Sequence, residues 1–138
     1  MDRILALDYG DKKIGVAISD PMKIIAKPLQ IIINSNFNNV LIEITSLIKE
    51  LNISLILVGM PITMKNTYSQ QTHKVIDFVE SLKNNLSIEV KTYDERLTSK
   101  MAEKILVNQG VKTGHNKQEI DKVSAAIFLQ NYLDDPTK

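Results

Sequence analysis

The chain has 138 residues, 43% of them hydrophobic and 24% charged, with a formal net charge of +1, the composition of an ordinary soluble domain that buries a single core; one domain over residues 1–138 is expected. It contains no cysteine, which excludes disulfides, thiolate catalysis and cysteine-ligated zinc or iron–sulfur centres, and near-neutral charge leaves a nucleic acid only a local basic patch to meet. No signal-peptide pattern opens the sequence and no apolar run approaches the roughly 20 residues that span a bilayer, so a cytoplasmic protein off the membrane is expected.

The first segment, Arg3–Gly10 (RILALDYG), is apolar at consecutive positions, the pattern of a central strand covered on both faces. KIGVAIS follows after only Gly10–Asp11–Lys12. So short a link implies an antiparallel hairpin, with Gly10 available for a positive φ at the turn. An Asp20–Pro21 break precedes PLQIIIN, a third strand that completes a meander. The period then changes: Phe37, Val40, Leu41, Ile44, Leu47, Ile48 and Leu51 recur at helical spacing.

ISLILVG is a short apolar strand ending at Gly59, and Pro61 blocks its continuation. A second helix is expected over about 67–84, burying Val75, Ile76, Phe78, Val79 and Leu82. IEVKTYDE alternates as a fifth strand. Thr98 or Ser99 would cap a helix that ends before Gly110, and a basic loop, VKTGHNK, leads to a last helix from near Asn116 to about Leu133. The order β-β-β-α-β-α-β-α-α predicts an α/β fold: a mixed five-stranded sheet, an antiparallel meander plus parallel strands, with helices on both faces.

Three acidic positions fall at element ends. Asp8 ends the first strand, Asp94 and Glu95 end the last, and Asp121 lies in the early turns of the final helix. Ligands in open α/β sheets collect beyond the carboxyl ends of the strands, so these acids can share one crevice. Oxygen ligands of this kind suit Mg²⁺ or Mn²⁺, and two such ions about 4 Å apart can activate a water and stabilise a leaving phosphodiester oxygen. Ser124 and Ala125, at i+3 and i+4 from Asp121, are small enough to let that helix approach the sheet. Taken singly, each acid is more often a turn or capping residue than a ligand. Strand alternation puts Asp94 with Thr92 and Glu95 with Tyr93, so one of the two faces the crevice; Glu95 is preferred, its longer side chain reaching in as the chain leaves the strand.

LALDYGDKKIGVAISDP, LILVGMPI, YDERLTS and IDKVSAAIFLQNYL, four motifs in order from Arg3 to Leu133, resemble the YqgF family, also called RuvX. The resemblance implies an RNase H-like fold, kinship with the RuvC resolvase and a nuclease acting in 5′-end maturation of pre-16S rRNA, with Holliday-junction resolution as the alternative. It implies Asp8, Glu95 and Asp121 as catalytic and metal-holding residues, with Asp94 as the other candidate in DERLT. The loop after GMP departs from the family's Leu-Asn-Met-Asp-Gly, reading Ile62–Thr63–Met64–Lys65–Asn66, and a basic residue usual further on is here Gln71 or His73.

In this topology Lys12, Lys13, Lys65, Arg96, Lys100, Lys112, His115 and Lys117 fall near one sheet edge, where they can receive a phosphate backbone. Arg96 has the fork for a bidentate phosphate contact, or for holding Asp94 or Glu95 in place. Tyr9 and Tyr93 flank the acids, either stacking on a base or partly buried. Structured RNA is the expected partner ahead of branched DNA, with the chain a monomer or homodimer. A non-catalytic RNA-binding module of the same fold is the second reading, and an actin-like phosphotransferase is disfavoured because it needs two such domains.

Overall fold

The computed structural model describes residues 2–61, 70–94 and 117–135, apart from the side chains of 117–122. Five strands form one sheet: β1 (Arg3–Tyr9), β2 (Lys13–Ser19), β3 (Ala26–Ile33), β4 (Ile53–Met60) and β5 (Glu89–Asp94), in the order β3-β2-β1-β4-β5. β1–β2 and β2–β3 are antiparallel, whereas β1–β4 and β4–β5 are parallel. The mixed sheet expected from sequence is therefore the one observed. β3 begins two residues earlier than the PLQIIIN reading, and β4 continues one residue past Gly59. Pro28 is tolerated because β3 is an edge strand and the β2–β3 register shifts there.

Three helices cover the sheet among the described residues: α1 (Phe37–Leu51), α2 (Gln70–Asn85) and α3 (Lys117–Asp134). α1 starts where the Asn36 side chain accepts from the Asn39 N–H, an N-cap that satisfies one of the free donors of the first turn. It ends at Asn52, which holds the left-handed conformation and donates its N–H to Ile48. Val40, Ile44 and Leu47 form its buried stripe, one turn apart. On α2 the buried stripe is Thr72, Val75, Phe78, Val79 and Leu82; Ile76, expected in it, is only half-buried, because it falls one position off the 3.6-residue period.

The sheet has a core on each side. Leu5, Leu7, Val16, Ile56 and Val58 pack with α1 and α2. Ile4, Ala6, Ala17, Leu55 and Leu57 pack with Ala125, Phe128, Leu129 and Tyr132 of α3. Successive residues of β1 thus enter opposite cores, which is why Arg3–Tyr9 reads as apolar without alternation.

Gly10 corrects the sequence reading. Its φ lies outside the left-handed range, and its role is steric: a Cβ there would sit 2.6 Å from the carbonyl oxygen of Lys13. The hairpin closes so tightly that no side chain fits. Asn34 braces it from the far strand, donating its N–H to the Lys12 carbonyl and its side-chain amide to the Gly10 carbonyl at 2.8 Å. The residues expected to form a helix after Thr98 or Ser99, and the loop of residues 111–116, lie outside the described residues.

Candidate active site at the end of the central strand

Asp8 is half-buried at the carboxyl end of β1. Alternation sets it on the same face as Ile4 and Ala6, the face that α3 covers. Its partner across β2 is Gly15, whose own neighbour on β3 is Ile31. On the other side the parallel register runs Leu7 to Val58, which brings Gly59 beside Asp8, and Gly59 pairs with Tyr93. One row therefore crosses the whole sheet: Ile31, Gly15, Asp8, Gly59, Tyr93. Within the sheet row, the position of Asp8 is flanked on both sides by glycines. Sequence reading gave Gly59 the end of a strand and passed over Gly15. The row is a property of register, which no single segment displays.

Tyr93 closes that row by packing under α3. Its ring lies 6.1 Å from Phe128, nearly parallel, and 6.3 Å from Tyr132, edge-on. Burial there, with the Asp135 and Asp94 carboxylates adding to it, raises the Tyr93 hydroxyl above the ordinary tyrosine value and keeps it neutral at physiological pH. Tyr93 is thus a packing residue of the terminal helix, as partial burial predicted. Tyr9 is likewise partly buried, its ring tilted against Phe78 at 4.6 Å on the other face.

Gln130 fixes the opposite end of α3. Its side-chain oxygen accepts from the Ala26 N–H at 2.8 Å and its amide donates to the Ile24 carbonyl at 2.9 Å, at the end of the sheet away from Asp8. Asp121 stands nine residues before Gln130, a rise of about 13 Å along a helix. Ile4, which pairs with the Ser19 end of the sheet, to Asp8 is four residues, again about 13 Å along a strand. The helix is long enough to carry Asp121 level with Asp8. In the sequence of α3, Asp121 stands four residues before Ala125 and seven before Phe128.

A family model described as "RuvX: Holliday junction resolvase" matches residues 2–135. The chain belongs to this RuvX family. A protein of Desulforamulus reducens named "Putative pre-16S rRNA nuclease" is 42% identical over 136 residues, covering 99% of each chain. A protein of the same name from a Sulfurihydrogenibium species is 45% identical over 136 residues, covering 97% of this chain and 91% of its own. Among solved structures, Thermus thermophilus RuvC in complex with a Holliday junction substrate superposes with a TM-score of 0.59 at 10% identity over 96% of this chain and 94% of that one. The fowlpox virus Holliday junction resolvase gives 0.58 at 15% identity over 96% and 98%. The sheet order 3-2-1-4-5 with its helices is thus the RNase H-like resolvase fold.

The remaining candidates of this RuvX-family chain distribute as follows. Asp94 pairs with Met60 and follows the register of Val90 and Thr92, the face of α1 and α2, opposite to Asp8. Lys13 lies on the face of Asp8, two residues along β2 from Gly15, and is half-buried; Lys12, in the hairpin turn, is exposed. Asp11 is held at 3.0 Å by Lys74 of α2. Glu95, Arg96, Lys100 and His115, with Lys65 and Lys112, lie outside the described residues, and Lys117 is described only as the first position of α3. Gln71, one of the departures from the family pattern, donates to the Tyr9 carbonyl at 3.3 Å, and His73 is exposed on α2. Among the described residues no three His, Asp or Glu side chains form a cluster that could hold a metal ion, and no helix is long and apolar enough to cross a membrane.

Proposed function

We propose that this RuvX-family chain is a metal-dependent nuclease that hydrolyses phosphodiester bonds in structured RNA, at the 5′ end of pre-16S rRNA. The observation that carries the reading is Asp8: an acid at the carboxyl end of the central strand, between two glycines, on the face where the terminal helix docks. The name borne by the near-full-length relatives supports pre-16S rRNA as substrate.

Asp8 is suited to a hard cation: a carboxylate oxygen donor at a strand end, between two glycine positions of its sheet row. Glu95 and Asp121 are the residues that would hold Mg²⁺ or Mn²⁺ with it, two ions being the expected complement. Asp94 has its register on the opposite face, which supports Glu95 as the acid supplied from that strand, since alternation returns the next position to the face of Asp8. The ions would supply charge neutralisation at the phosphate and an activated water. The chain's own part is to hold the acids at one end of the sheet and to hold the phosphate backbone. Lys13, on the same face two residues along β2 from Gly15, is a candidate backbone contact, and Lys12, Arg96, Lys100, His115 and Lys117 are the further ones.

The test is cleavage by purified protein with Mg²⁺ or Mn²⁺, on pre-16S rRNA and on a four-way DNA junction, beside Asp8→Asn. Metal-dependent cleavage of the RNA that Asp8→Asn abolishes is the expected result. Activity retained by Asp8→Asn removes the mechanism. Cleavage of the junction alone moves the substrate to DNA.

A further inference from the structure

The end of β1 has a second face. Tyr9 follows Asp8 and therefore points into the α1–α2 layer, where a cleft of about 280 Å³ opens to the surface. Phe78, buried on α2, forms its floor. Tyr9 meets that ring at 4.6 Å with a 39° tilt, and Phe37, the first residue of α1, meets it edge-on at 6.2 Å. The rest of its lining is polar: Asn34, held by its bond to Gly10, with Asp77, Lys74 and Ser81 of α2.

This combination has a chemistry. Three aromatic rings at one open cleft offer stacking to a flat, partly apolar heterocycle, an interaction worth roughly 1–3 kcal/mol per base where bases stack on proteins. The polar lining then selects by hydrogen bonding. Asp77 is exposed and its carboxylate accepts, so it favours an exocyclic amine over uracil, whose one N–H lies between two carbonyl oxygens that a carboxylate repels. The volume, at the lower limit of about 300 Å³ for small-molecule pockets, suits one base rather than a larger ligand. The cleft shares a strand end with Asp8 but lies on the other side of the sheet. A strand crossing the tip of β1 can keep its phosphates on the Asp8 side while an unstacked base turns over the Gly10 hairpin.

We propose that this cleft is a subsite for a single unstacked nucleobase bearing an exocyclic amine, separate from the acidic site. The inference rests on the reading of the chain as an RNA-acting protein. Its test uses the intact chain, isotopically labelled, in EDTA, titrated by NMR with AMP, GMP, CMP, UMP and ribose 5-phosphate. The amine-bearing nucleotides are expected to shift the amides of Tyr9, Phe37, Asp77 and Phe78 saturably, with UMP at least threefold weaker and ribose 5-phosphate without effect. Ser81→Leu, which fills the cleft without removing a ring, is expected to weaken binding tenfold or more. Asp77→Ala is expected to erase the difference from UMP, and Asp8→Asn to bind as the wild type does.

Absence of saturable shifts, equal binding of ribose 5-phosphate or UMP, unchanged affinity in Ser81→Leu, or loss of binding in Asp8→Asn each overturns the proposal. A conserved spectrum elsewhere in the protein shows that Ser81→Leu and Asp77→Ala remain folded, and Asp77→Ala, at an exposed position, keeps the test decisive where Ser81→Leu unfolds. Asp8-dependent cleavage without nucleotide shifts refutes the cleft alone. Nucleotide shifts without cleavage refute the nuclease alone.

Discussion

Phe128→Ala is the most informative single perturbation of the helix that carries Asp121. Phe128 is fully buried, and several members of its core are small: Ala6 and Ala17 on the sheet, Ala125 and Ala126 on its own helix. Alanines have little side chain with which to collapse into a void, so the cavity persists and the cost should fall near the top of the roughly 3–5 kcal/mol range for Phe→Ala. The truncation also removes the stacking partner of Tyr93 at 6.1 Å, worth about 0.5–1.5 kcal/mol beyond area alone. Against a total of about 5–15 kcal/mol for a domain, the variant should remain mostly folded at 25 °C but unfold at much lower urea. Urea unfolding followed by circular dichroism at 222 nm measures this, with Ile42→Ala as the control. Ile42 is 66% exposed on α1, and its truncation should cost no more than about 0.5 kcal/mol. A loss below about 1.5 kcal/mol for Phe128→Ala, with an unchanged denaturant slope, would refute the packing of α3 described above.

Three further outcomes follow from local geometry. Gly10→Ala places a Cβ 2.6 Å from the Lys13 carbonyl oxygen, which is backbone and cannot swing away; the expected cost is about 1–3 kcal/mol, read as a lowered melting temperature, and a neutral change would mean the hairpin is looser than described. The Asp20 carboxylate accepts from the Ile25 and Ile24 N–H groups, which lowers its pKa. A depressed acid stabilises the fold above its unfolded-state pKa and ceases to do so as pH falls through the lower folded value. Asp20→Ala should therefore be less stable than the wild type at neutral pH, with the two curves converging as pH falls below the ordinary carboxylate range; a gap independent of pH would exclude the carboxylate as its source. In a spectrophotometric titration of the four tyrosines, Tyr93→Phe should remove a component ionising above the ordinary value near 10. Loss of a lower component instead would show the ring to be exposed.

Much of this was legible in the chain because periodicity reports burial directly. The consecutive apolar residues of Arg3–Tyr9 required a strand covered twice, and the two cores are what they required. The 3.6-residue stripe of α1 survived to the residue. Gly10 was located correctly and explained wrongly, because a glycine demanded by close approach looks the same in sequence as one demanded by φ. Alternation could separate Asp94 from Glu95 but could not say which face the terminal helix would cover; only the stacking of Tyr93 on Phe128 decides that. The cleft went unread for a related reason. Phe37 and Phe78 are ordinary apolar members of helical stripes, and only the crossing of α1, α2 and β1 makes three rings of them and Tyr9.

The position of β1 explains why one strand end can serve two sites. β1 is the strand where the sheet changes sense, antiparallel to β2 on one side and parallel to β4 on the other. Its end is therefore joined by a tight hairpin to one neighbour, while the other runs beside it to Met60. Such switch points are where ligands collect in α/β sheets. Because successive side chains alternate, moving one residue along the chain moves from one side of the protein to the other. Asp8 answers to α3, and Tyr9 answers to α1 and α2. Changes that disturb the docking of α3 should thus alter the acidic site while leaving the aromatic cleft formed, and the two faces can be separated by mutation although they begin at adjacent residues.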